Sequence, residues 1–313
     1  NPSIEISCRF KSGLGYHINI MNNIQSQLTE YIEIYRSNKI KSISIFLVVS
    51  SIFIAAAFLI EDKYQANALL KYSEEDTGTN YSISSPLGGL GSLAGMNLGG
   101  NATDPIEYSI AVIKSRNFLT KLLDKPNVRE NLIASSRYDK VNKVIIYNDK
   151  IFDNKTNTWI KEIDFLRIHK RHYLKNLTLT KNRSNGFLTI SFNHISPEFS
   201  KYFIDLIIQE LNKSISVVDI ENSEKRLELL LQKSTEKSIK DVNNAILRLI
   251  ENELKNIAYS KTKVEYMLET IDPAYVPMKP FYPNRILIIL MGIVAGIASS
   301  FLYIYLRLSL RKN

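Results

Sequence analysis

Two uncharged apolar runs, one toward each end of the chain, limit what it can fold into more than any other feature. Ser42 to Ile60 reads SISIFLVVSSIFIAAAFLI, and Ile286 to Leu306 reads ILIILMGIVAGIASSFLYIYL. A hydrocarbon core of about 30 Å takes roughly 20 apolar residues as helix, and lipid offers no partner to an unpaired backbone group. Both runs are therefore expected to be transmembrane helices, over 42–60 and 286–306, rather than core helices. The first does not read as a cleavable signal sequence, because Glu61-Asp62-Lys63 follows it where a small-residue cleavage site would stand.

The flanks give an orientation. Arg36, Lys39 and Lys41 precede the first run, and Arg307, Arg311 and Lys312 follow the second. Lys and Arg concentrate on the cytoplasmic side of short flanks. Segments 1–41 and 307–313 are thus expected in the cytoplasm, and residues 61–285 outside it. Tyr35, Tyr64, Phe281, Tyr282 and Tyr303 or Tyr305 stand where interfacial aromatics belong. Met21, which begins MNNIQSQLTEYIEIYRSNKIKSISI, is expected to be the native start.

The net charge of +9 does not indicate a nucleic-acid partner. Residues 1–42 hold five bases against three acids and residues 307–313 hold three bases, leaving +4 over the 225 residues outside. No basic cluster with interleaved aromatics occurs there. The single cysteine, Cys8, falls on the cytoplasmic side, so the outer domain must be held by packing and assembly.

Within that domain, YQANALLKY over 64–72 reads weakly as a strand. SPLGGLGSLAGMNLGG over 85–100, with six glycines, reads as a loop and lacks the spacing of a phosphate cradle. Asp104-Pro105-Ile106-Glu107 is a helix start, with Ile106, Ile110 and Ile113 on one face and an end near Lys125. A second helix is expected from Trp159 to about Tyr173. Leu177 to Lys181 and Phe187 to Asn193 alternate around Asn185-Gly186, a hairpin with Leu177, Leu179, Leu188, Ile190 and Phe192 facing inward.

Ser196-Pro197 caps another helix, and no Gly or Pro occurs from 198 through 272. Phe203, Ile207, Leu211, Ile215 and Val218 form one helical stripe, and Ile239, Val242, Ile246, Leu249 and Ile250 another. Glu221–Lys225, Glu236–Lys240 and Glu251–Lys255 have the favourable i,i+4 order. Long helices over about 197–270 follow, bending near Ser234-Thr235 or Asn243-Asn244. A slender arm of this kind buries little alone, so self-association is the natural supply of neighbours.

The remaining motifs point away from chemistry. His169 and His172 lie three apart, but Arg167, Lys170 and Arg171 surround them, so a solvated basic face is expected instead of a metal site. His194 has no evident partner. Glu74-Glu75-Asp76 reads as hydrated loop carboxylates, and no Ser/His/Asp or Cys/His set is evident. No enzymatic activity, cofactor or metal is expected. Two sets of residues read as structural. Pro273, Pro277, Pro280 and Pro283 make IDPAYVPMKPFYPNR a stiff connector over 273–283. Gly292, Gly296 and Ser300 form a small-xxx-small face for close helix packing, with Ser50, Ser51 and Ala55 to Ala57 as small residues on the first span.

Taken together, the two terminal spans, the strand after the first, ISFNHISPEFSKYFIDLIIQELN, the breaker-free stretch and IDPAYVPMKPFYPNR resemble the Wzz-type polysaccharide co-polymerases. These are the chain length determinants of O-antigen and related polysaccharides, and the resemblance covers residues 21–313. It implies an α+β membrane protein with two terminal transmembrane helices, a periplasmic α/β base domain and a long helical arm. The implied role is to set polysaccharide length in lipopolysaccharide biosynthesis in the bacterial inner membrane. The implied partners are further copies of the chain in a ring-like homo-oligomer, a Wzy-type polymerase, the growing polysaccharide and membrane lipid, without nucleic acid. Alternatives are a capsule or exopolysaccharide co-polymerase working with a separate kinase, and a two-span ligand sensor. The second would need an output domain that residues 307–313 do not supply.

Overall fold

The computed structural model describes residues 35–73, 104–235 and 240–312. The Gly-rich segment 85–100, Met21, Cys8, Glu74-Glu75-Asp76, Ile239 and the Glu236–Lys240 pair lie outside the described residues. The chain divides into two compact units, one holding the two apolar helices and the other spanning Asp62–Phe281.

In the first unit, α1 (Tyr35–Leu59) and α8 (Arg285–Lys312) are long and apolar enough to cross a membrane. Little of either is buried, at 17% and 11% of their most apolar windows. The core helix of a soluble protein would be mostly covered. Here Leu47, Ile52, Leu59, Leu290, Val294 and Phe301 are exposed, the distribution that a hydrocarbon solvent permits.

The second unit is built on one antiparallel sheet, ordered β6-β7-β1-β8, with β1 Tyr64–Tyr72, β6 Leu177–Lys181, β7 Leu188–His194 and β8 Leu268–Asp272. The expected β6–β7 hairpin forms, with Leu177 opposite Phe192 and Leu179 opposite Ile190. Its turn needs a glycine, because Gly186 has φ +72°. Leu188, Ile190 and Phe192 are wholly buried and Leu179 half-buried. Strand β1 alternates buried and half-buried residues and places Ala66, Ala68 and Leu70 in the core.

Across that sheet face lies the first half of α6 (Pro197–Thr235). Ser196 starts it as expected, its hydroxyl accepting the Phe199 N–H at 3.1 Å. Phe203, Ile204, Ile207 and Leu211 are fully buried there. Each such side chain stabilises the fold by about 2 kcal/mol relative to exposure. Phe203 and Phe192 anchor the contact, with ring centroids 4.5 Å apart. Beyond Ile215 the helix leaves the core, and Val218 of the expected stripe is exposed.

The outer half of α6 pairs with α7 (Lys240–Thr262). Arg226 binds Glu253 through Nε at 2.8 Å and Nη2 at 3.0 Å. The Ser216 hydroxyl donates to the Ser260 carbonyl at 2.7 Å, and Tyr266 donates to Asp219 at 2.9 Å. These crossings make the two helices antiparallel. Ile246, Leu249 and Ile250 of the second stripe are half-buried. The helical region is shorter than 197–270, for it ends at Thr262 and 268–272 becomes strand β8. Asn243-Asn244 lies inside α7 and is not a bend.

Two further expectations are corrected. The helix starting at Asp104 breaks at Ser115, giving α2 (Pro105–Lys114) and α3 (Arg116–Leu123). Asp104 caps α2 by accepting from the Ile106 and Glu107 N–H groups, at 2.9 and 3.3 Å. Ser115 takes an extended backbone and caps α3 through the Phe118 N–H, which divides the run. Nor is 159–173 one helix. Trp159 ends a small hairpin of β4 (Phe152–Asp153) and β5 (Thr158–Trp159). Its ring packs on Phe152 at 5.1 Å, beneath the Arg129 guanidinium. Helix begins at α5 (Phe165–Arg167), capped by Asp164, and runs on as a π-helical turn over Ile168–Leu174. Before it come α4 (Val128–Ala134) and a hairpin of β2 (Ser135–Asp139) and β3 (Val144–Tyr147).

Candidate functional site

Small residues bring α1 and α8 together. The Ser42 and Ser300 hydroxyls are hydrogen-bonded, and the Ser50 hydroxyl donates to the Gly292 carbonyl at 3.3 Å. Further along, the Arg285 guanidinium lies 5.5 Å over the Phe58 ring. Ascending positions on α1 thus meet descending ones on α8, so the helices run antiparallel. Ser42, Ser50 and Ala57 are buried on α1, seven or eight residues apart, while much of the rest of the helix surface is exposed.

Neither glycine has room for a side chain. A Cβ at Gly292 would stand 2.5 Å from the Phe53 Cβ. One at Gly296 would stand 2.6 Å from the Ser50 Oγ and 3.1 Å from the Phe46 carbonyl oxygen. The Phe53 atom is next to its own backbone and cannot swing aside, so the helices would have to part. Ser51 and Ala55, in contrast, lie on exposed faces of α1.

The four prolines lie between β8 and α8, in a segment with no helix. Pro277 and Pro283 are buried, whereas Pro273 and Pro280 are exposed. Phe281 donates its N–H to the Lys63 carbonyl at 2.7 Å, holding together the two chain ends of the second unit. Asn284 then caps α8 through the Leu287 N–H at 3.3 Å. Tyr64 is not an interfacial aromatic: it is buried in the sheet, with its ring edge-on to Tyr138.

The histidines form no solvated basic face. His169 is buried and its Nε2–H donates to the Lys114 carbonyl at 2.9 Å. The Nδ1–H of His172 donates to the Leu132 carbonyl at 3.2 Å. His194 has two partners: Nε2–H donates to the Asn131 carbonyl at 2.9 Å, and Nδ1 accepts the Ser196 N–H at 3.1 Å. The buried Tyr173 hydroxyl adds a bond to the Ile113 carbonyl at 2.7 Å. These carbonyls belong to the last turns of α2 and α4, which have no acceptor-filling donor inside their own helix. The rings serve as caps reaching across the fold.

His194 needs a neutral ring for this, because its Nδ1 accepts a hydrogen bond while its Nε2–H donates one. Burial holds the His194 pKa down at about 4. Burial first, then the charges of Arg167, Arg171 and Lys63, also lowers that of His172. Burial likewise pushes the Tyr173 hydroxyl well above its ordinary range. Among the described residues no group of three or more His, Cys, Asp or Glu side chains could hold a metal ion.

No family model matches the chain, and no curated protein matches it in sequence. Among solved structures it is similar to one described as a full-length bacterial polysaccharide co-polymerase. The two share 11% identity with a TM-score of 0.39, over 90% of this chain and 97% of that one. It is also similar to a fragment of WzzB, a polysaccharide co-polymerase from Salmonella Typhimurium, at 14% identity and a TM-score of 0.30, over 71% of this chain and all of the fragment. At such identities and scores the overlaps define neither a substrate nor a partner.

Proposed function

We propose that this chain is a membrane-anchored, non-enzymatic regulator of polysaccharide chain length, a co-polymerase of the Wzz type. The observation that carries this reading is the joining of three parts in one chain. Two apolar helices close on a small-residue seam, an α+β base stands between them in sequence, and α6 runs unbroken from that base into an antiparallel helical arm. Such an arm is a scaffold and a spacer.

In this reading the base and arm lie in the periplasm and both chain ends in the cytoplasm. Several copies assemble through their arms. The assembly acts on a Wzy-type polymerase or on the growing O-antigen and biases when elongation stops. Pro273, Pro277, Pro280 and Pro283 set the spacing between base and membrane. Gly292, Gly296 and Ser300 hold the second span against the first. Deleting the gene should replace the modal polysaccharide length with a broad distribution on a gel, and an unchanged ladder would reject the role. Sizing the purified protein in nanodiscs tests the assembly, since a monomer is incompatible with a scaffold made of several copies.

A further inference from the structure

The end of the base at which the chain enters and leaves carries features that neither the sheet nor the arm uses. Asp62 is the third residue after Leu59, where α1 stops, and Phe281 stands four before Arg285, where α8 starts. This end of the base is joined to both apolar helices by stretches of only three or four residues.

The tip of the β2–β3 hairpin is tied to the same end. Lys140 Nζ lies 2.7 Å from the Asp62 carboxylate. The tip is also rigid. The Asp139 carboxylate accepts from the Val141 N–H at 2.9 Å, the Asn142 N–H at 3.2 Å and the Asn142 side-chain amide at 2.7 Å. Lys143 closes the turn with φ +54°. What this turn presents is Val141, 89% exposed. Phe281, at the chain exit, and Met278, three residues before it, are 61% and 97% exposed.

The charges around these apolar side chains are mostly positive. Lys63 is half-buried, donates to the Asn176 side chain and is repelled by Lys175. Lys143 and Lys175 have no acidic partner among the described residues. The rings of His172 and His194 feel the same excess. Exposed apolar side chains and lysines without acidic partners at the end where the chain enters and leaves match the composition of segments that seat in a headgroup layer.

We infer that the β2–β3 tip, with Val141 at its apex and Lys143 beside it, seats in the bilayer interface and binds anionic lipid headgroups. It thereby fixes the base against the membrane at a third point besides the two spans. This inference rests on the reading of α1 and α8 as membrane spans, so its test must separate the two.

The test uses the full-length chain with Cys8→Ser, reconstituted in vesicles containing anionic lipid. One variant carries Val141→Cys, a second Ser184→Cys and a third Leu290→Cys, each labelled with an environment-sensitive fluorophore. Ser184 lies in the β6–β7 turn, at the other end of the sheet from Lys63, because His194 pairs with Tyr64 and Leu188 with Leu70. Leu290 is an exposed residue of α8. Spin-labelled lipid should quench the labels at 290 and 141 but not at 184, and aqueous iodide should quench only that at 184. Zwitterionic lipid in place of anionic lipid, or Lys143→Glu, should weaken quenching at 141 about fivefold for each cation engaged. Lipid quenching at 290 without quenching at 141 would overturn this inference and leave the spans standing. A label at 141 that is shielded from iodide yet untouched by spin-labelled lipid would assign the tip to a protein partner and overturn it equally. Absence of quenching at 290 would overturn the spans themselves.

Discussion

The side chain of Asn212 hydrogen-bonds Leu268 as a strand neighbour would, accepting its N–H at 2.8 Å and donating to its carbonyl at 2.9 Å. It also accepts the Met267 N–H at 2.7 Å. A helix residue thus supplies the bonds that an edge strand would otherwise leave open, and fastens the end of the arm's return path to its root. Asn212→Leu removes all three bonds within a buried site. A loss of about 3 kcal/mol is expected from the stranded backbone groups, with hydrogen exchange at Met267 and Leu268 rising ahead of the sheet centre. Unchanged protection at both amides would show that the contact is incidental.

The seam between α1 and α8 can be probed by a disulfide. In a Cys8→Ser background, Ser42→Cys with Ser300→Cys should oxidise within one chain in membranes. Gly292→Leu or Gly296→Leu in the same chain should slow that oxidation about tenfold, the scale of an overpacked contact costing 1–3 kcal/mol. Oxidation at the parental rate in both leucine variants would mean that the helices do not rely on that face.

His194 makes stability pH-dependent. Its folded-state pKa of about 4 lies below the ordinary 6.5. Above pH 6.5 both folded and unfolded chains hold it neutral. As the pH falls from 6.5 to 4, the unfolded chain takes up a proton that the folded chain refuses. Stability therefore drops by about 1.4 kcal/mol per unit, about 3 kcal/mol in all, and this loss levels off below pH 4. His172, shifted the same way, adds to it. Melting profiles of His194→Gln should be flatter across this window, since the amide can still donate to the Asn131 carbonyl without titrating. Parallel profiles for the two proteins would assign the acid sensitivity elsewhere.

The Arg226–Glu253 pair crosses between the arm helices, but Arg226 is 40% exposed. A double-mutant cycle with Arg226→Ala and Glu253→Ala should therefore give a coupling of only about 0.5 kcal/mol. A coupling several times larger would show that the pair is screened from water, as it would be inside an assembly of arms.

Local signals were readable from the sequence where one residue does one job. Asn185-Gly186 predicted the hairpin because only the glycine accepts the φ of that turn, and Ser196-Pro197 predicted the start of α6 because a cap acts over three residues. The small hairpins of 135–159 were not readable. Trp159 looks helical in its own window, and only Phe152 and Arg129 decide otherwise. The histidines were misread for a related reason. Their charge-rich neighbours are close in sequence, but the carbonyls that they cap are 40 to 63 residues away. At Gly292 and Gly296 the spacing is visible in the sequence. Their opposite numbers, Phe53, Ser50 and Phe46, follow only from the antiparallel register of the helices.

Helix α6 is clamped at one end and unbroken for 39 residues. It is therefore a lever. From Ile215 to Thr235 it extends about 30 Å beyond the core at 1.5 Å per residue. A tilt of about 5° at the sheet displaces the far end by about 3 Å, and a load applied there returns as torque on Phe203 and Ile207. Whatever bears on the end of the arm is thus felt at the sheet that carries β1 and β8, the two strands from which the chain departs toward its apolar helices.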